Sequence, residues 1–441
     1  MISQRCLLIA DDLTGGADAG AQFAKRGLRT LLISVRDNPL IDFSEYINRE
    51  VLVVNTDSRG LSPEKAFSLV SSLIKGYNKE LFPVVYKKID STLRGNIGYE
   101  IDAILTEMNG SLCFMAPSYP EQNRILVGGI MIVGERPLAL TEVARNTASP
   151  VQESHVYKLL ERQSRSSVGW IDLTHVATSC ERLQKAVEGE LRKGTQIIVF
   201  DAVSRQDLTN VAEVGFSLEI KPLFVGSAGL AEEVAKKITP SKVKSLKPFK
   251  QTGKAFKHIF IIGGTASSVT RQQLKRIEQR GIPSYHLNKY LLVCDETREQ
   301  VERRELSEKV ANSLSQGMVI LKTTPEMLLP EDSKDLPIHL RIVKTLADIA
   351  LSSLELSKVD IRDLALILTG GDTAQSIINV LGNEGIEIEG ELLEGIVRGH
   401  LIGGNWDGLS VITKAGAFGK EDALEKIVEI LETGLPLNKE E

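Results

Sequence analysis

The sequence predicts an α/β protein made of two domains with mainly parallel sheets. Short apolar runs that end in small or acidic residues recur along the chain, and amphipathic stretches with helical spacing lie between many of them. The chain has 441 residues, which exceeds the roughly 250 to 300 residues at which a single hydrophobic core stops growing. A segment rich in lysine and proline near the middle interrupts the pattern, so we expect one α/β domain on each side of it.

The apolar runs of the first half are short enough to be single buried strands. They lie at 6–10, 30–34, 51–54, 84–86, 112–116, 197–200 and 223–225. Helical spacing is clearest at 17–26, 63–75 and 97–108. Strands that alternate with helices in this way indicate a mainly parallel sheet.

Residues 239–257 read TPSKVKSLKPFKQTGKAFK and lack sustained apolar periodicity. We predict that this segment links a first domain, residues 1–238, to a second domain, residues 258–441. The α/β pattern restarts in the second half, with apolar runs at 258–262, 317–322, 364–368 and 409–413.

Composition favours a soluble protein that acts on small molecules. The 53 basic and 58 acidic residues give a formal charge of -5, and no lysine or arginine block could follow a nucleic-acid backbone. No apolar run approaches the roughly 18 residues of a membrane span, and the four cysteines form no CxxC pair. We expect a cytoplasmic protein without nucleic-acid or membrane partners, and a homo-oligomer is compatible with the sequence.

Two acidic residues, a hydroxyl and a glycine pair follow the first predicted strand in the segment ADDLTGG, residues 10–16. In parallel sheets, ligands bind at the carboxyl ends of strands, which makes Asp11 and Asp12 candidate catalytic carboxylates. The alternative is that Asp12 or Thr14 only caps the next helix, because short turns of this kind often do so.

A basic loop rich in hydroxyls, KKIDSTLRGN at residues 87–96, follows another predicted strand, and Arg59 ends a polar loop after a third. The planar guanidinium of arginine matches a carboxylate, and hydroxyls bind polyols, so this composition fits a small anionic polyol. The alternative is that Asp90 and Arg94 form an ordinary ion pair between positions i and i+4.

Three glycine turns follow strands of the second predicted domain, at 263–268, 369–374 and 414–419. Such turns expose backbone N–H groups at the positive end of a helix, which is what a phosphate group requires. No GxxxxGK[ST] motif occurs, which excludes a standard P-loop. The three turns together favour a nucleotide site of another kind.

Taken in order, several segments resemble the four-carbon acid sugar kinases over nearly the whole chain. They are ADDLTGGADAG, KKIDSTLRGN, APSYPEQNR, VGGIMIVGERPL, VGSAGLA, GGTASSVTRQQL, TGGDTA and KAGAFG. The resemblance implies an N-terminal domain that binds the sugar acid, a C-terminal domain that binds ATP and an active site in the cleft between them. It also implies phosphoryl transfer to the C4 hydroxyl of a tetronate. With leucine at position 13, the segment ADDLTG resembles that of members that act on D-threonate or D-erythronate more than that of members that act on 3-oxo-tetronates, which have ADDFTG.

The resemblance also implies which residues form the site. Asp12, with Asp11 as the second candidate, would orient the attacking hydroxyl, and Mg²⁺ would bridge the phosphate oxygens; the protein ligands of the metal are not predicted. The substrate contacts would be Arg59, Lys88, Asp90, Ser91 and Arg94. The ATP contacts would be Thr265, Ser267, Gly370, Gly371, Asp372, Thr373 and Gly416.

Three other functions are alternatives to a D-threonate or D-erythronate kinase. A sugar-acid sensor would need neither nucleotide turns nor an acid beside its ligand, and ATP turnover separates it from a kinase. A nicotinamide-dependent dehydrogenase would need GxGxxG after a strand, which the sequence lacks. Within the kinase family, a 3-oxo-tetronate 4-kinase is the alternative.

Overall fold

The computed structural model describes residues 5–35, 40–109, 112–145, 150–239, 254–264, 267–288, 296–323 and 338–435. The chain divides into two compact units, Met1–Pro248 and Phe249–Glu441. Both units combine helices with a mainly parallel sheet, so the predicted fold class is confirmed. The domain bounds 1–238 and 258–441 stay a prediction, and most of the predicted linker, residues 240–253, lies outside the described residues.

The first unit contains strands and helices in mostly alternating order. Its strands are β1 (Cys6–Ala10), β2 (Thr30–Ser34), β3 (Val51–Asn55), β4 (Val84–Lys88), β5 (Cys113–Ala116), β6 (Arg124–Val127), β7 (Ile130–Val133), β8 (Arg136–Pro137), β9 (Val168–Ile171), β10 (Ile197–Phe200) and β11 (Leu223–Gly226). Its helices are α1 (Leu13–Ala24), α2 (Pro63–Ile74), α3 (Ile97–Glu107), α4 (Glu142–Arg145), α5 (Val156–Gln163), α6 (Leu173–Val176), α7 (Cys180–Arg192), α8 (Arg205–Ser217) and α9 (Ala228–Ile238).

The main sheet of the first unit is parallel throughout. Its strand order is β2-β3-β1-β4-β11-β5-β10-β9. Every residue of β1, β3, β4, β5, β10 and β11 is buried, as expected for strands that are covered by helices on both faces. The order places β1 beside both β3 and β4, so the segments that follow these three strands begin at one edge.

A small antiparallel sheet, β6-β7-β8, branches from the main sheet after β5. It is anchored by Asp201, whose carboxylate accepts hydrogen bonds from the N–H groups of Gly128 and Gly129 at 2.8 and 3.0 Å. The small sheet begins shortly after residue 116, where β5 ends. The loop is short, and the chain then forms the first strand of this small sheet at Arg124.

The second unit is smaller and contains an antiparallel hairpin. Its strands are β12 (His258–Gly263), β13 (Ser284–Leu287), β14 (Met318–Thr323), β15 (Leu364–Thr369), β16 (Gly385–Leu393), β17 (Ile396–Ile402) and β18 (Ser410–Lys414). Its helices are α10 (Ser268–Glu278), α11 (Glu296–Gln316), α12 (Ile338–Ser357), α13 (Gly371–Leu381) and α14 (Ala423–Thr433).

Within the second unit the strands follow the order β13-β14-β12-β15-β18-β17-β16. The first five are parallel to one another, and β17 pairs antiparallel with both β18 and β16. Strands β12, β15 and β18 are neighbours, and each ends at one of the three predicted glycine turns. An apolar core packs α10 and α14 against these strands.

No helix in the described part of the chain is both long and apolar enough to cross a membrane.

Candidate functional site

The catalytic and substrate residues predicted in the first unit gather at one edge of its main sheet. Strand β1 lies between β3 and β4, and Ala10 at its end pairs with Asn55 on one side and Lys88 on the other. The strand ends and the segments after them carry Asp11, Asp12, Arg59, Lys88, Asp90, Ser91 and Arg94. The topology thus brings together residues that are far apart in the sequence.

Arg59 holds the two carboxylates that follow β1. Its Nε donates to Asp11 Oδ2 at 2.8 Å, and its Nη2 donates to Asp11 Oδ1 at 2.9 Å. The same Nη2 donates to Asp12 Oδ1 at 2.6 Å. Burial opposes the ionisation of Asp11, but the positive charges of Arg59 and two lysines outweigh it and lower the pKa of Asp11. Asp11 is therefore an anion with both oxygens bonded to Arg59.

Asp12 caps helix α1, as the capping alternative predicted. Its Oδ1 accepts a hydrogen bond from the Gly15 N–H at 3.2 Å, and its Oδ2 accepts one from Thr14 Oγ1 at 2.7 Å. The Asp12 side chain is nevertheless 13% exposed, against 4% for Asp11. Of the two carboxylates, Asp12 is the one that a ligand reaches more easily.

Lys88 lies beside the Asp12 carboxylate. A Cβ atom built on Gly15 would stand 2.4 Å from Asp12 Oδ1 and 2.9 Å from Lys88 Nζ. The ammonium of Lys88 also donates to the carbonyl of Ile89 at 2.9 Å. A side chain at position 15 would therefore displace the Asp12 carboxylate or the Lys88 ammonium, which favours glycine in the ADDLTGG segment.

The loop after β4 is organised around Asp90. Thr92 Oγ1 donates to Asp90 Oδ2 at 2.5 Å, and Arg94 Nε donates to the same oxygen, so the predicted i,i+4 ion pair is present. Burial opposes the charge of Asp90, but Arg94, Arg59 and Arg124 hold the pKa of this carboxyl well below its ordinary value. Within the described residues, the terminal nitrogens of Arg94 make no hydrogen bond, and its side chain is 29% exposed.

A buried ion pair joins the end of β4 to helix α3, on either side of this loop. Lys87 Nζ lies 2.6 Å from Glu100 Oε2, and the two side chains are 0% and 1% exposed. Glu100 Oε1 also accepts a hydrogen bond from Ser58 Oγ at 2.6 Å, which ties α3 to the loop that carries Arg59. A pair buried this completely fixes geometry rather than adding much net stability. The neighbouring lysines thus differ, since Lys87 supports the site and Lys88 faces it.

Arg124 also belongs to this cluster, although the substrate contacts predicted above do not include it. It is the first residue of β6, is 7% exposed and donates through Nη1 to Ser91 Oγ. Burial lowers the pKa of Arg124, Asp90 acts in the opposite direction and Arg94 adds to the lowering. The available signal in the sequence was an arginine shortly after a strand end, in the segment APSYPEQNR.

The three predicted glycine turns meet in the second unit. The carbonyl oxygen of Gly416 accepts hydrogen bonds from Ser267 Oγ and Thr270 Oγ1, both at 2.7 Å. The Gly370 N–H donates to the carbonyl of Lys414 at 2.9 Å. These contacts join the turn after β12 to the turn after β18, and the turn after β18 to the turn after β15.

The turn before helix α13 depends on glycine. Gly370 has φ of 99°, which a side chain would strain, and it stands directly before the first residue of the helix, Gly371. A Cβ atom on Gly264 would lie 2.6 Å from Thr373 Oγ1, so the backbone after β12 passes close to this helix start. Asp372 is exposed and Thr373 is buried.

Of the predicted ATP contacts, Thr265 lies outside the described residues. The others, Ser267, Gly370, Gly371, Asp372, Thr373 and Gly416, lie on the turns that meet in the second unit.

No group of three or more His, Cys, Asp or Glu side chains that could hold a metal ion occurs in the described residues. In kinases Mg²⁺ is commonly bound through substrate phosphates with only one or two carboxylates. The exposed Asp372, in the first turn of α13, would suit that kind of partial ligation. The residues present therefore fit a metal ion that arrives with the nucleotide.

Comparison with known families divides the chain between two matches. Residues 6–234 match the family described as a sugar-binding N-terminal domain. Residues 260–424 match the family described as a nucleotide-binding C-terminal domain. The order of the two matches agrees with the two clusters, since the acidic and basic cluster lies in the first range and the glycine turns lie in the second.

Curated relatives align over nearly the whole chain. The chain is 30% identical to a D-erythronate kinase of Heliobacterium modesticaldum over 97% of each protein. It is 30% identical to a D-threonate kinase of Salmonella typhimurium over 95% of this chain and 96% of the relative. A 3-oxo-tetronate kinase of Pseudomonas savastanoi is more distant, at 21% identity over 96% of each protein.

Solved structures show the same fold. One protein of Salmonella typhimurium LT2 superposes with a TM-score of 0.75 at 22% identity and covers 95% of this chain and 97% of that one. A Haemophilus influenzae protein of the DUF1537 family superposes with a TM-score of 0.69 at 21% identity and covers 96% of this chain and 100% of that one.

Removal of the Asp90 carboxylate tests the electrostatics of the cluster. In Asp90→Asn, Arg94 and the buried Arg124 lose the anion between them, and we expect a loss of about 3 to 5 kcal/mol in the free energy of unfolding at pH 7. Because the folded pKa of Asp90 is depressed, its stabilisation is present above the ordinary carboxyl pKa of about 4 and is lost as the pH falls through the folded value. The difference between wild type and variant should therefore be constant from pH 7 to 5 and narrow only below about pH 4.

Urea unfolding followed by tryptophan fluorescence measures this effect. A Trp406→Phe background leaves Trp170 as the reporter of the first unit, because the chain has 2 tryptophans. Arg162→Gln is the control in the same unit, since the pair of the largely exposed Arg162 with Glu153 should contribute little. An Asp90→Asn midpoint equal to that of the control would contradict the proposed electrostatic balance.

Proposed function

The chain belongs to the family of four-carbon acid sugar kinases, and from that premise we propose that it transfers a phosphoryl group from ATP to the C4 hydroxyl of D-threonate or D-erythronate. Relatives named D-erythronate kinase or D-threonate kinase are 27 to 30% identical to the chain. Relatives named 3-oxo-tetronate kinase are 21 to 24% identical. The single observation that carries the proposal is that an accessible carboxylate, Asp12, and a partly exposed guanidinium, Arg94, lie at the same edge of one sheet.

Asp12 is the residue we assign to the attacking hydroxyl. Phosphoryl transfer needs the hydroxyl to be oriented and its proton to be accepted, and a carboxylate performs both tasks. Asp11 is poorly suited because both of its oxygens are bonded to Arg59 and its side chain is almost buried. Asp12 shares only one oxygen with Arg59 and lies beside Lys88.

The substrate carboxylate is assigned to Arg94. Its Nε is held by Asp90, which fixes the plane of the guanidinium, and within the described residues its terminal nitrogens make no hydrogen bond. Terminal nitrogens arranged in this way suit a carboxylate that accepts two parallel hydrogen bonds. Lys88 and Ser91 lie in the same strand end and loop and would bind the hydroxyls of the polyol. A rigid four-carbon chain has its carboxylate at one end and its C4 hydroxyl at the other, so separate groups must recognise each end.

The nucleotide is assigned to the glycine turns of the second unit. Backbone N–H groups at the start of α13 and at the turn after β18 provide the donors that phosphate oxygens accept. Mg²⁺, when it is bound, neutralises charge on the phosphate oxygens. In the reaction, the bond between the γ-phosphorus and the bridging oxygen of ATP breaks and a bond to the C4 oxygen forms. The hydroxyl proton passes to Asp12, and ADP leaves.

A coupled assay of ADP release over a panel of sugar acids tests the proposed substrate. The panel contains D-threonate, D-erythronate, L-threonate, L-erythronate and the 3-oxo forms. We expect the highest kcat/KM for D-threonate or D-erythronate and only background ADP release without a sugar acid. A preference for a 3-oxo-tetronate would place the chain with the more distant relatives, and the absence of any turnover would favour a sensor.

Substitution of Asp12 and of Arg94 tests their assigned roles. Asp12→Asn should fold and bind ATP but lose about 100-fold or more in kcat, because general acid–base catalysis typically contributes 10² to 10⁴-fold. Arg94→Ala should mainly raise KM for the sugar acid, by roughly 10-fold or more, since hydrogen bonds to charged groups contribute about 1.5 to 3 kcal/mol.

Steady-state kinetics at saturating ATP separate the two variants, with circular dichroism spectra as the check on folding. A wild-type kcat for Asp12→Asn, measured under conditions in which chemistry limits the rate, would remove Asp12 from this role. Asp11 would then be the next candidate. A lower kcat with an unchanged KM for Arg94→Ala would contradict its assignment to the substrate carboxylate.

A further inference from the structure

The last residue of β18, Lys414, is a lysine with 0% exposure in the middle of the glycine turns. Its Nζ donates to Thr270 Oγ1 at 3.1 Å, to the carbonyl of Ala415 at 3.0 Å and to the carbonyl of Gly416 at 3.3 Å. An ammonium group has three N–H donors. All three are therefore used inside the protein.

This arrangement differs from that of a P-loop lysine, whose ammonium contacts the phosphates of the nucleotide. The partners of Lys414 are one hydroxyl and two backbone carbonyls, and the Gly416 carbonyl also accepts hydrogen bonds from Ser267 and Thr270. We propose that Lys414 is a positioning residue, whose charged ammonium holds the turn after β18 against α10 and so shapes the site for the nucleotide phosphates. This inference rests on the proposed assignment of the nucleotide to the second unit.

Among the described residues, no acidic side chain lies close enough to Lys414 to compensate the charge of a buried ammonium. On neighbouring strands, Thr369 of β15 and Ile396 of β17 stand opposite Lys414 in the sheet register. From α10, the facing groups are the hydroxyl of Thr270 and that of Ser267 just before the helix. None of these groups titrates near neutral pH.

Burial alone lowers the pKa of Lys414 to about 7. The group therefore loses its proton near neutral pH, whereas an ordinary lysine would stay charged. A neutral amine has only two N–H donors and directs a lone pair toward the oxygens that the third donor held. The turn after β18 should then be less well held, and nucleotide affinity should fall as the pH rises above about 7.

Lys414 also differs from a lysine kept for stability. Its lowered folded pKa means that the unfolded chain binds the extra proton between about pH 7 and the ordinary lysine value. Burial of this lysine therefore destabilises the folded state most below about pH 7, and this destabilisation declines as the pH rises toward the ordinary lysine value. Lys87 is the matched contrast, because it is equally buried but paired with Glu100. Replacing Lys87 by Met leaves a buried carboxylate without its partner.

The test compares wild type, Lys414→Met and Lys414→Gln by calorimetric titration with ADP from pH 6.5 to 8.5. At pH 6.5, Lys414→Met should bind ADP about 10-fold more weakly than wild type. The ratio of the two affinities should shrink by up to about 10-fold per pH unit above pH 7, because Lys414 loses its proton in wild type. Ionisation of ADP itself affects both proteins equally and cancels in the ratio. Lys414→Gln keeps two N–H donors without a charge, so its ADP affinity at pH 6.5 should lie between those of wild type and Lys414→Met.

Two further readouts separate positioning from other roles. Titrations in buffers of different ionisation enthalpy should show more proton uptake on ADP binding for wild type than for Lys414→Met at pH 7.5. Thermal unfolding at pH 6.5 should show Lys414→Met at least as stable as wild type and Lys87→Met clearly less stable.

Three results would overturn the inference. The first is equal ADP affinity of wild type and Lys414→Met at pH 6.5, and the second is a ratio of affinities that does not change with pH. The third is a loss of 100-fold or more in kcat with unchanged ADP affinity, which would indicate direct contact with the transferred phosphoryl group. Wild type that binds no ADP would overturn this inference and the proposed function together, whereas ADP binding without turnover of any tetronate would count against the proposed substrate alone.

Discussion

The arrangement of the first unit depends on one guanidinium group. Asp11 and Asp12 are consecutive carboxylates at the end of a buried strand, and their like charges would disfavour joint ionisation without a nearby cation. Arg59 supplies that cation, and its planar fork bonds both oxygens of Asp11 and one of Asp12. The loop after β4 depends on the same group, because Gly95 packs so closely that a Cβ atom there would lie 3.3 Å from both Arg59 Cγ and Asp11 Oδ2. Arg59 thereby gives the two acids unequal roles, with Asp11 fixed and Asp12 left accessible.

The two units offer anions different kinds of site. In the first unit, charged side chains dominate, and Asp90 is shared among several arginines that would otherwise repel one another. In the second unit, backbone groups and hydroxyls dominate, and the buried Lys414 donates hydrogen bonds to carbonyls of the protein itself. A small carboxylate suits the first kind of site, because directed charge fixes its orientation. A polyphosphate suits the second, because several N–H groups can follow a chain of oxygens.

Much of this arrangement could be predicted from the sequence because strand ends in a parallel sheet are local features. The positions of the acidic turn, the basic loop and the glycine turns follow from apolar runs, and the ion pair of Asp90 with Arg94 spans only four residues. The pairing of Arg59 with Asp11 spans 48 residues and depends on β1 and β3 being neighbours, which no local pattern states. The contact of Arg124 with Ser91 spans 33 residues and likewise depends on the tertiary fold. The hairpin of β16 and β17 was also missed, although its alternation of buried and partly buried residues gives a strand signal of period two.

Hydrogen–deuterium exchange with each ligand alone tests the central claim most directly, because it locates binding without requiring catalysis. We expect ADP to slow exchange at residues 267–273, 370–374 and 414–420, and D-threonate or D-erythronate to slow it at 11–15, 58–61 and 88–97. Each ligand should leave the other set of segments largely unchanged when it is added alone. Protection of residues 11–15 by ADP, with no protection at the glycine turns, would contradict the assignment of the sugar acid to the first unit and the nucleotide to the second.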